Sequence, residues 1–372
     1  MINLEFNDEA FDIGVLDSPG GFLWWYLDLV DKAGNGAVLI WAFGLPFLEG
    51  KKEGITGLAP RYKPSICLAV YKTYRQFFYL LQEYPYDSAA TDASGREVIV
   101  GKNRFRTLID ETGVSFSADI ETPVPGCRRP LTGSVTAQGN RLRGPAEADA
   151  VTDHQWRPML ANAVGRVELR RGADPIVDLT GRVYLDSNFS RRPLDQLGID
   201  RWSWMRVAFD DRELVFFDLE PRDRGRVPKR ILLSVDSSGR ARIRRIGALE
   251  RSRLRISSYG LSYHRDLLLC DEDSRTASLR LRPPVDTSPF YLRFLVDAVD
   301  LANGERGHGI AELIKPDRIA IAAIQPFVQM RVHKIDSPNS LWLPLFSGSK
   351  SHRVQRLMAY LKRASPATGE PT

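Results

Sequence analysis

In residues 181–220 the chain runs GRVYLDSNFSRRPLDQLGIDRWSWMRVAFDDRELVFFDLE. This stretch contains three apolar or alternating segments, GRVYLDSN, WSWMRVAF and RELVFFDLE, and the turn residues DDRE separate the last two. Alternation with a period of two is typical of β-strands, and short strands joined by such turns are typical of antiparallel sheets. The stretch therefore predicts β-structure.

The same pattern continues in both directions along the chain. Runs such as FLWWYLDLV, SICLAVYK and RILLSVD recur at intervals of about ten residues and are bounded by turn residues such as DKAGNG and DSSGR. This spacing favours sandwiches or barrels over alternating βαβ units. We expect an all-β fold with one short C-terminal helix, in which Val354, Leu357, Met358 and Leu361 follow helical spacing.

The chain is long enough for two ordinary domains. Small and acidic residues replace the strand pattern in RGPAEADAVTDHQWRP, near residue 150, and each half begins with an aromatic-rich strand pair. We expect two similar β-domains, residues 1–150 and 151–340, that share an interface, because clefts between domains are favoured positions for pockets. Residues 341–372 are expected to form the amphipathic helix and a disordered tail.

Composition excludes several classes of protein. The apolar content of 43% and the charged content of 26% are those of a soluble globular protein. No apolar run reaches the length of a membrane-spanning helix, and the acidic N-terminus predicts no secretory signal. The three scattered cysteines predict no disulfide framework and favour a cytoplasmic location. The five scattered histidines predict no metal site, and no nucleotide-binding loop is present.

Arginine is concentrated in residues 222–255, although the net charge of the whole chain is only +6. The alternation in RARIRRI is typical of a strand with one solvated basic face. Attraction to anionic lipid headgroups is a second interpretation, and a nucleic-acid surface is a third. We expect the solvated face and no nucleic-acid partner.

The first aromatic cluster is GGFLWWYLDL. In a strand, Trp24, Tyr26 and Asp28 face one way and Trp25 faces the other, and hairpin pairing with the next strand brings Trp41 close. Such a cluster fits either a polar group at an aromatic-lined cavity or an ordinary β-core with Asp28 at a turn. We take all five side chains as candidates for substrate binding.

The second cluster lies in the opening stretch. Tyr184, Asp186 and Asn188 share one strand face, and Trp202 and Trp204 share the face of another strand. A carboxyl group surrounded by aromatic side chains has its pKa raised by desolvation, so it remains protonated near neutrality and serves as a general acid. The ring faces would stabilise a carbocation. The alternative is that Asp186 accepts hydrogen bonds from turn amides.

Weaker candidates lie elsewhere. His154, in DHQWRPM, is a candidate proton relay, although a lone histidine in a loop is more often structural. Tyr291 and Arg293 share a strand face, and Tyr291 is a further candidate for substrate binding. Gln325 and Gln329, in QPFVQMR, are weak candidates for orienting a water molecule.

The order of these motifs, GGFLWWYLD, AVLIWAFG, PSICLAVYK, HQWRPM…GRVEL, GRVYLDSNFSRRPL, RWSWMR and SPFYLRFLV…AAIQPFVQMRV, resembles the carotenoid 1,2-hydratase (hydroxyneurosporene synthase) family. The resemblance covers roughly residues 17–334, and the WWY block and the YLDxN block with its downstream WxW are its most specific parts.

This resemblance implies two packed lipocalin-like β-barrel domains and the cofactor-independent addition of water to a terminal isoprenoid double bond of an acyclic carotenoid. It implies that Asp186 protonates the alkene and that Asn188 and Tyr184 orient the acid or the water. The residues that would line the cavity are Trp24, Tyr26, Trp202 and Trp204.

The sequence departs from the family pattern directly after this aspartate. Family members tend to carry a histidine after YLD and Trp-Gly after the asparagine, whereas Ser187, Phe189 and Ser190 stand here. A cavity that does not position water would let the cation cyclise or isomerise. A terpenoid or polyketide cyclase and a non-catalytic lipocalin-like carrier of hydrophobic ligands therefore stay open as alternatives. The basic C-terminal helix either packs onto the barrel or contacts the inner membrane surface.

Overall fold

The computed structural model describes residues 2–6, 13–46, 57–111, 113–145, 154–244, 246–271, 275–351 and 353–364. Its architecture is built from two large antiparallel sheets, each of which curls into a half-barrel, and its helices are short. The predicted all-β, lipocalin-like fold is therefore confirmed. The predicted disordered tail, residues 365–372, lies outside the described residues.

Among these described residues the first sheet has 14 strands. Its first twelve strands are β1 (Asn3–Leu4), β2 (Phe22–Val30), β3 (Gly36–Phe43), β4 (Pro64–Lys72), β5 (Arg75–Glu83), β6 (Ala89–Thr91), β7 (Glu97–Val100), β8 (Asn103–Ile109), β9 (Val114–Thr122), β10 (Leu131–Gly139), β11 (Gln155–Arg171) and β12 (Asp174–Ser190). Apart from β1, which pairs with β11 in parallel, these strands pair in antiparallel fashion. They follow the order β5-β4-β3-β2-β12-β11-β10-β9-β8-β7-β6.

The second sheet has 10 strands within the described part of the chain. They are β13 (Ile199–Ala208), β14 (Arg212–Pro221), β15 (Lys229–Asp236), β16 (Ala241–Arg244), β17 (Ile246–Ile256), β18 (Ser262–Asp271), β19 (Arg275–Leu281), β20 (Asp286–Thr287), β21 (Tyr291–Asp300) and β22 (Arg306–Ile314). Short 3-10 turns occupy Ile13–Asp17, Pro60–Tyr62, Tyr86–Ser88, Leu194–Gln196 and Ala322–Ile324.

The two sheets share one pattern of connection. In the first sheet β2 pairs with both β3 and β12, and in the second sheet β13 pairs with both β14 and β22. Each sheet contains a meander of four strands, β2–β5 in the first sheet and β13–β16 in the second. The first strand of each meander pairs with a strand that comes much later in the chain, β12 or β22. Two similar β-units were predicted, and the strand pairing gives both the same connectivity.

Strand pairing does not change at residue 150, where the sequence predicted a boundary. β11 pairs with β10 over Leu131–Gln138 and with β12 over its whole length, so both strands belong to the first sheet. The change of sheet falls between Ser190 and Ile199. The division of the chain into domains stays a prediction, and part of the proposed linker, residues 146–153, lies outside the described residues.

Apolar side chains pack in three layers. One cluster fills the interior of the first sheet and another fills the interior of the second sheet. The third cluster lies between the sheets, because alternate residues of the central strands point outward from each curl and meet there. Members from the first sheet include Tyr26 and Tyr184, and members from the second include Trp202 and Trp204. The middle layer therefore contains most of the candidate residues.

The C-terminal segment returns to the first sheet. Strands β23 (Val332–Lys334) and β24 (Gly348–Ser349) both pair with β5. The helices are α1 (Pro316–Ile319), α2 (Gln325–Gln329), α3 (Leu343–Phe346) and α4 (Arg353–Ala364). Helix α4 confirms the predicted C-terminal helix. None of the helices in the described ranges is long and apolar enough to cross a bilayer.

The arginine-rich segment forms strands. It includes β15, β16 and most of β17, and the RARIRRI stretch forms β16, where Arg242 and Arg244 are exposed. Arg251 forms ion pairs with Asp218 and Glu220 on β14. The prediction of a strand with solvent-exposed basic side chains is confirmed.

Candidate active site

A cleft opens between the two sheets. Its walls are mainly aromatic and aliphatic, and a few ionisable groups point into it. Apolar clefts with few polar groups are the usual form of sites for small hydrophobic ligands. The lining residues that the following paragraphs use are Trp24, Tyr26, Asp186, Asn188, Trp202, Trp204, Tyr291, Arg293, Glu312, Ile319, Val328 and Arg331.

Asp186 lies in the C-terminal part of β12, where it is the register partner of Tyr26 on β2, and it is only 2% exposed. Its Oδ2 atom accepts hydrogen bonds from Tyr184 Oη (2.7 Å) and Trp156 Nε1 (2.9 Å). Its Oδ1 atom accepts one from Asn188 Nδ2 (3.1 Å). The three polar residues of β12 therefore share one face, as predicted.

Burial raises the pKa of Asp186 to about 8, because desolvation disfavours the charged form. The hydrogen bonds from Tyr184 and Trp156 act in the opposite direction, and the negative charges of Glu312 and Asp28 raise the pKa further. The carboxyl group is thus mostly protonated at neutral pH, so the chemical condition for a general acid is met.

His154 extends this polar network. Its Nε2 atom lies 3.2 Å from Asn188 Oδ1, while Asn188 Nδ2 donates to Asp186. With the amide in this orientation, Nε2 carries the proton and donates to Asn188. The imidazole is buried and its ring centre lies 4.8 Å from that of Trp202. The network therefore links His154 to Asp186 through Asn188.

Aromatic rings surround the acid on both walls of the cleft. The ring centres of Tyr26 and Trp204 are 5.0 Å apart, those of Tyr184 and Trp204 are 5.7 Å apart, and those of Trp24 and Trp202 are 6.3 Å apart. These contacts join the first sheet to the second. The sequence-based grouping of Trp24 with Tyr26 and of Trp202 with Trp204 is in agreement with this arrangement.

Two predicted substrate-binding residues lie outside the cleft. Trp25 and Trp41 are register partners on β2 and β3, and both point into the interior of the first sheet. Their ring centres lie 5.4 Å and 5.1 Å from that of Phe105. β2 is buried on both faces, so aromatic side chains pack closely both inside the first sheet and in the cleft. The sequence therefore does not show which aromatic side chains of β2 reach the cleft.

Asp28 also lies outside the cleft, although it shares the face of Tyr26. Its Oδ1 atom accepts a hydrogen bond from Arg206 Nε (2.6 Å), and both side chains are fully buried. Glu213 approaches Arg206 Nη1 at 3.4 Å. Asp28 therefore belongs to a buried ionic network between the sheets. Tyr184 likewise does not line the cleft and contacts Asp186 through its hydroxyl group.

Gln325 and Gln329 do not line the cleft either. Gln325 Nε2 donates to the carbonyl oxygen of Ile319 (2.7 Å), and Val328 is the residue of α2 that reaches the cleft. Tyr291 and Arg293 do line the cleft, as their shared strand face indicated. The two glutamines therefore lie outside the cleft lining, and a role for them in orienting a water molecule stays a prediction.

The sequence interpretation missed two polar residues of the site, Trp156 and Glu312. Trp156 donates to Asp186 from the start of β11. Its position two residues after His154, on the same side of an extended chain, was the feature of the sequence that could have indicated this. Arg293 and Glu312 form an ion pair (Nε to Oε1, 2.8 Å) because they are register partners on β21 and β22. Strand register is not visible in a single sequence, so this pair had no clear signal.

The departures from the family pattern mostly face away from the cleft. Phe189 belongs to the core inside the first sheet, and Ser187 lies on the same face of β12, opposite to that of Asp186. Ser190 is buried, and its Oγ atom accepts a hydrogen bond from the backbone N–H of Arg192 (3.0 Å). Two of the three departures therefore lie on the face of β12 that points away from the acid.

No group of three or more histidine, cysteine, aspartate or glutamate side chains in the described ranges is arranged to hold a metal ion.

Solved structures share the fold. An AttH candidate from Nitrosomonas europaea aligns with a TM-score of 0.55 at 14% identity, over 79% of this chain and 92% of that one. The structure of CghA with Sch210972 aligns with a TM-score of 0.52 at 11% identity, over 80% of this chain and 89% of that one. At such low identity these similarities concern the fold alone.

Proteins that are related in sequence give more specific information about the family. A protein named hydroxyneurosporene dehydrogenase, from Chlorobaculum tepidum, is 22% identical over 367 residues, which cover 92% of this chain and 94% of the relative. An acyclic carotenoid 1,2-hydratase from Thiocapsa roseopersicina is 24% identical over 339 residues, which cover 87% of this chain and 75% of the relative.

The family model described as carotenoid hydratase CrtC matches residues 85–338, which is more than half of the chain and includes Asp186, its hydrogen-bond donors and the second sheet. The resemblance seen in the sequence is thereby confirmed, and the chain belongs to the carotenoid hydratase CrtC family and is an enzyme of the hydro-lyase type.

Proposed function

We propose that the cleft hydrates a terminal isoprenoid double bond of an acyclic carotenoid by acid catalysis without a cofactor. The observation that carries this proposal is a carboxyl group, Asp186, that is buried at an aromatic-lined cleft and has a pKa raised to about 8. Membership of the carotenoid hydratase family supplies the class of substrate. The apolar walls of the cleft suit a hydrocarbon chain.

Asp186 transfers its proton to the less substituted carbon of the alkene, and a tertiary cation forms on the other carbon. Its Oδ2 atom already accepts two hydrogen bonds, from Tyr184 and Trp156, whereas Oδ1 accepts one from Asn188. Because fewer donors are directed at Oδ1, this is the oxygen that carries the proton. After the transfer, the same three donors stabilise the carboxylate.

The aromatic side chains stabilise the cation. Trp24, Tyr26, Trp202 and Trp204 line the cleft around Asp186, and ring faces attract a positive charge through their quadrupoles. Such an interaction contributes on the order of 2 kcal/mol where water is excluded. Water then adds to the cation and gives a tertiary alcohol.

The test is to express the chain in a host that accumulates lycopene or neurosporene and to analyse the pigments. We expect tertiary alcohols that contain labelled oxygen when the purified protein acts in ¹⁸O-water. Cyclised or isomerised pigment without label would favour the cyclase alternative. Unchanged pigment that remains bound to abundant folded protein would favour the carrier.

We also propose that the mouth of the cleft contacts an anionic lipid surface, where an apolar substrate resides. On α4, Val354 and Met358 are 69% and 52% exposed, whereas Arg356 on the same helix is buried and donates to the carbonyl oxygens of Ser347 (2.9 Å) and Ser351 (2.7 Å). The helix therefore presents apolar side chains to solvent. Arg353, which opens α4, lies beside a depression that shares Arg331 with the cleft.

Replacing both exposed residues, Val354→Glu with Met358→Glu, should weaken binding to vesicles of mixed anionic and neutral lipids about tenfold or more, because two apolar side chains lose their burial and two negative charges are added. Co-sedimentation measures the binding. The matched control is Leu108→Glu on β8, where the wild-type side chain is 58% exposed. Equal binding of all three proteins would contradict the proposed contact.

A further inference from the structure

The wall of the cleft that faces Asp186 carries a second carboxylate. Asp186 projects from the first sheet, while Glu312 projects from β22 in the second sheet, between its register partners Trp204 and Arg293. Glu312 is near enough for its charge to raise the pKa of Asp186. Asp286, the other carboxylate of the cleft, pairs with Arg331 at 3.7 Å. Of these two carboxylates, Glu312 is therefore the one whose charge acts on Asp186.

Arg293 holds this carboxylate in place. Its Nε atom donates to Glu312 Oε1 (2.8 Å), and its Nη1 atom donates to Tyr71 Oη (2.7 Å). The guanidinium group is 2% exposed and stays protonated, and it holds Glu312 in an ion pair that is largely buried. A fixed carboxylate within a cleft is suited to accept a proton from water.

Two polar atoms beside Glu312 are buried and have no hydrogen-bond partner among the residues that the structure describes. They are Nε1 of Trp204, a side chain that is 5% exposed, and the hydroxyl of Tyr291. Tyr291 lies two residues before Arg293 on the same face of β21, and both Tyr291 and Trp204 line the cleft. Buried donors without partners are uncommon and indicate a bound water or a polar ligand group.

We infer that Glu312, Tyr291 and Trp204 bind the water that attacks the cation, and that Glu312 is the second catalytic residue, the base that accepts the proton of this water. The inference rests on the proposed function. Arg293 is a positioning residue, because it acts by orienting Glu312. One wall of the cleft then supplies the proton and the opposite wall supplies the nucleophile.

The reaction balances with these two residues. The π electrons of the alkene form a C–H bond with the proton of Asp186, which becomes a carboxylate. A lone pair of the water oxygen forms the C–O bond, and the electrons of one O–H bond return to oxygen as its proton passes to Glu312. The sum is alkene plus water giving alcohol, and exchange with solvent at the open mouth returns one proton from Glu312 to Asp186.

The variant Glu312→Gln tests this inference, with Glu121→Gln as its matched control because Glu121 is 45% exposed on β9 and pairs with Lys102. In D₂O we expect Glu312→Gln to form alcohol at least about 100-fold more slowly than wild type. It should nevertheless place deuterium at the terminal group of recovered substrate, because Asp186 still protonates the alkene and takes back a different proton. Glu121→Gln should behave as wild type.

The outcomes separate the two proposals. Alcohol formation at the wild-type rate in Glu312→Gln would overturn the role of Glu312, and so would parallel loss of alcohol and deuterium exchange in folded protein. Absence of both reactions in wild type would instead overturn the proposed function. If Glu312→Gln does not fold, the variant Tyr291→Phe tests the water site instead. It removes one hydrogen bond to the water, so the ratio of alcohol formation to deuterium exchange should fall about two- to tenfold. An unchanged ratio would overturn the water site.

Discussion

Replacement of Asp186 by asparagine should lower turnover of an acyclic carotenoid by about 10²–10⁴-fold, the usual contribution of a general acid. Asparagine has nearly the same shape, so Tyr184 and Trp156 retain an oxygen to which they donate. What is lost is the proton that the alkene requires. Alcohol formation by purified protein is the measurement, and retained binding of the pigment would show that the cleft is intact.

The matched control for this variant lies on the same strand. Asp178→Asn changes a carboxylate of β12 that is 53% exposed and pairs with Arg166 on the surface. We expect its turnover to equal that of wild type. Equal turnover of Asp186→Asn and Asp178→Asn would show that the acid lies elsewhere.

The pH profile gives a second readout of the same residue. Since the acid must be protonated, and burial raises the pKa of Asp186 to about 8, wild-type turnover should be independent of this group below that pH. Above it, turnover should fall by about tenfold per pH unit as the carboxyl group ionises. A profile that instead falls between pH 4 and 5 would mean that the reacting group is an ordinary solvent-exposed carboxyl.

The sequence predicted those parts of the site that depend only on the alternation of side chains along a single strand. A period of two places Tyr184, Asp186 and Asn188 on one face whatever the partner strand is, and the same holds for Trp202 and Trp204. The family motifs then identified which carboxyl group to consider. The raised pKa of Asp186 followed from its aromatic neighbours in the sequence.

Features that depend on pairing between strands were not predictable. The ion pair of Arg293 with Glu312 needs the register of β21 and β22, and a shift of one residue would turn either side chain to the other face. The central strands are buried on both faces, so alternation alone does not show which face of β2 meets the second sheet. Trp25 and Trp41 were assigned to the cleft for this reason.

The second large effect concerns the ionic network that joins the two sheets. Arg206 on β13 lies between Asp28 of the first sheet and Glu213 on β14, and all three side chains are fully buried. Glu213 Oε2 also accepts the backbone N–H of Asn162 (2.8 Å), a residue with φ of 52° in the irregular part of β11. One guanidinium therefore serves two carboxyl groups, and burial raises the pKa of Glu213 to about 7.

Arg206→Met should lower the free energy of unfolding by about 3–5 kcal/mol, because it leaves two buried carboxyl groups without their cation. Urea denaturation followed by tryptophan fluorescence measures the change. The matched control, Arg166→Met, removes one partner of an ion pair whose side chains are 51% and 53% exposed, and we expect a loss of at most about 1 kcal/mol. Equal losses in the two variants would contradict the importance of the buried network.

The sign of the pH dependence follows from the same groups. Without Arg206, the folded protein holds Asp28 and Glu213 in their protonated forms, so their folded-state pKa values lie above the unfolded values of 3.8 and 4.5. Stability contributed by such groups is present below the unfolded pKa values and is lost as the pH rises. The destabilisation in Arg206→Met should therefore be smaller at pH 5 than at pH 8.

Replacing all three residues separates charge from packing. In a variant with Arg206→Met, Asp28→Leu and Glu213→Leu, no charge of this buried network remains, and stability should recover to near or above that of wild type. Recovery would mean that the network is kept for the alignment of the two sheets rather than for stability, and turnover of the triple variant would then fall although it is well folded. A triple variant that is as unstable as Arg206→Met would show that the polar contacts themselves, including the one to Asn162, hold the sheets together.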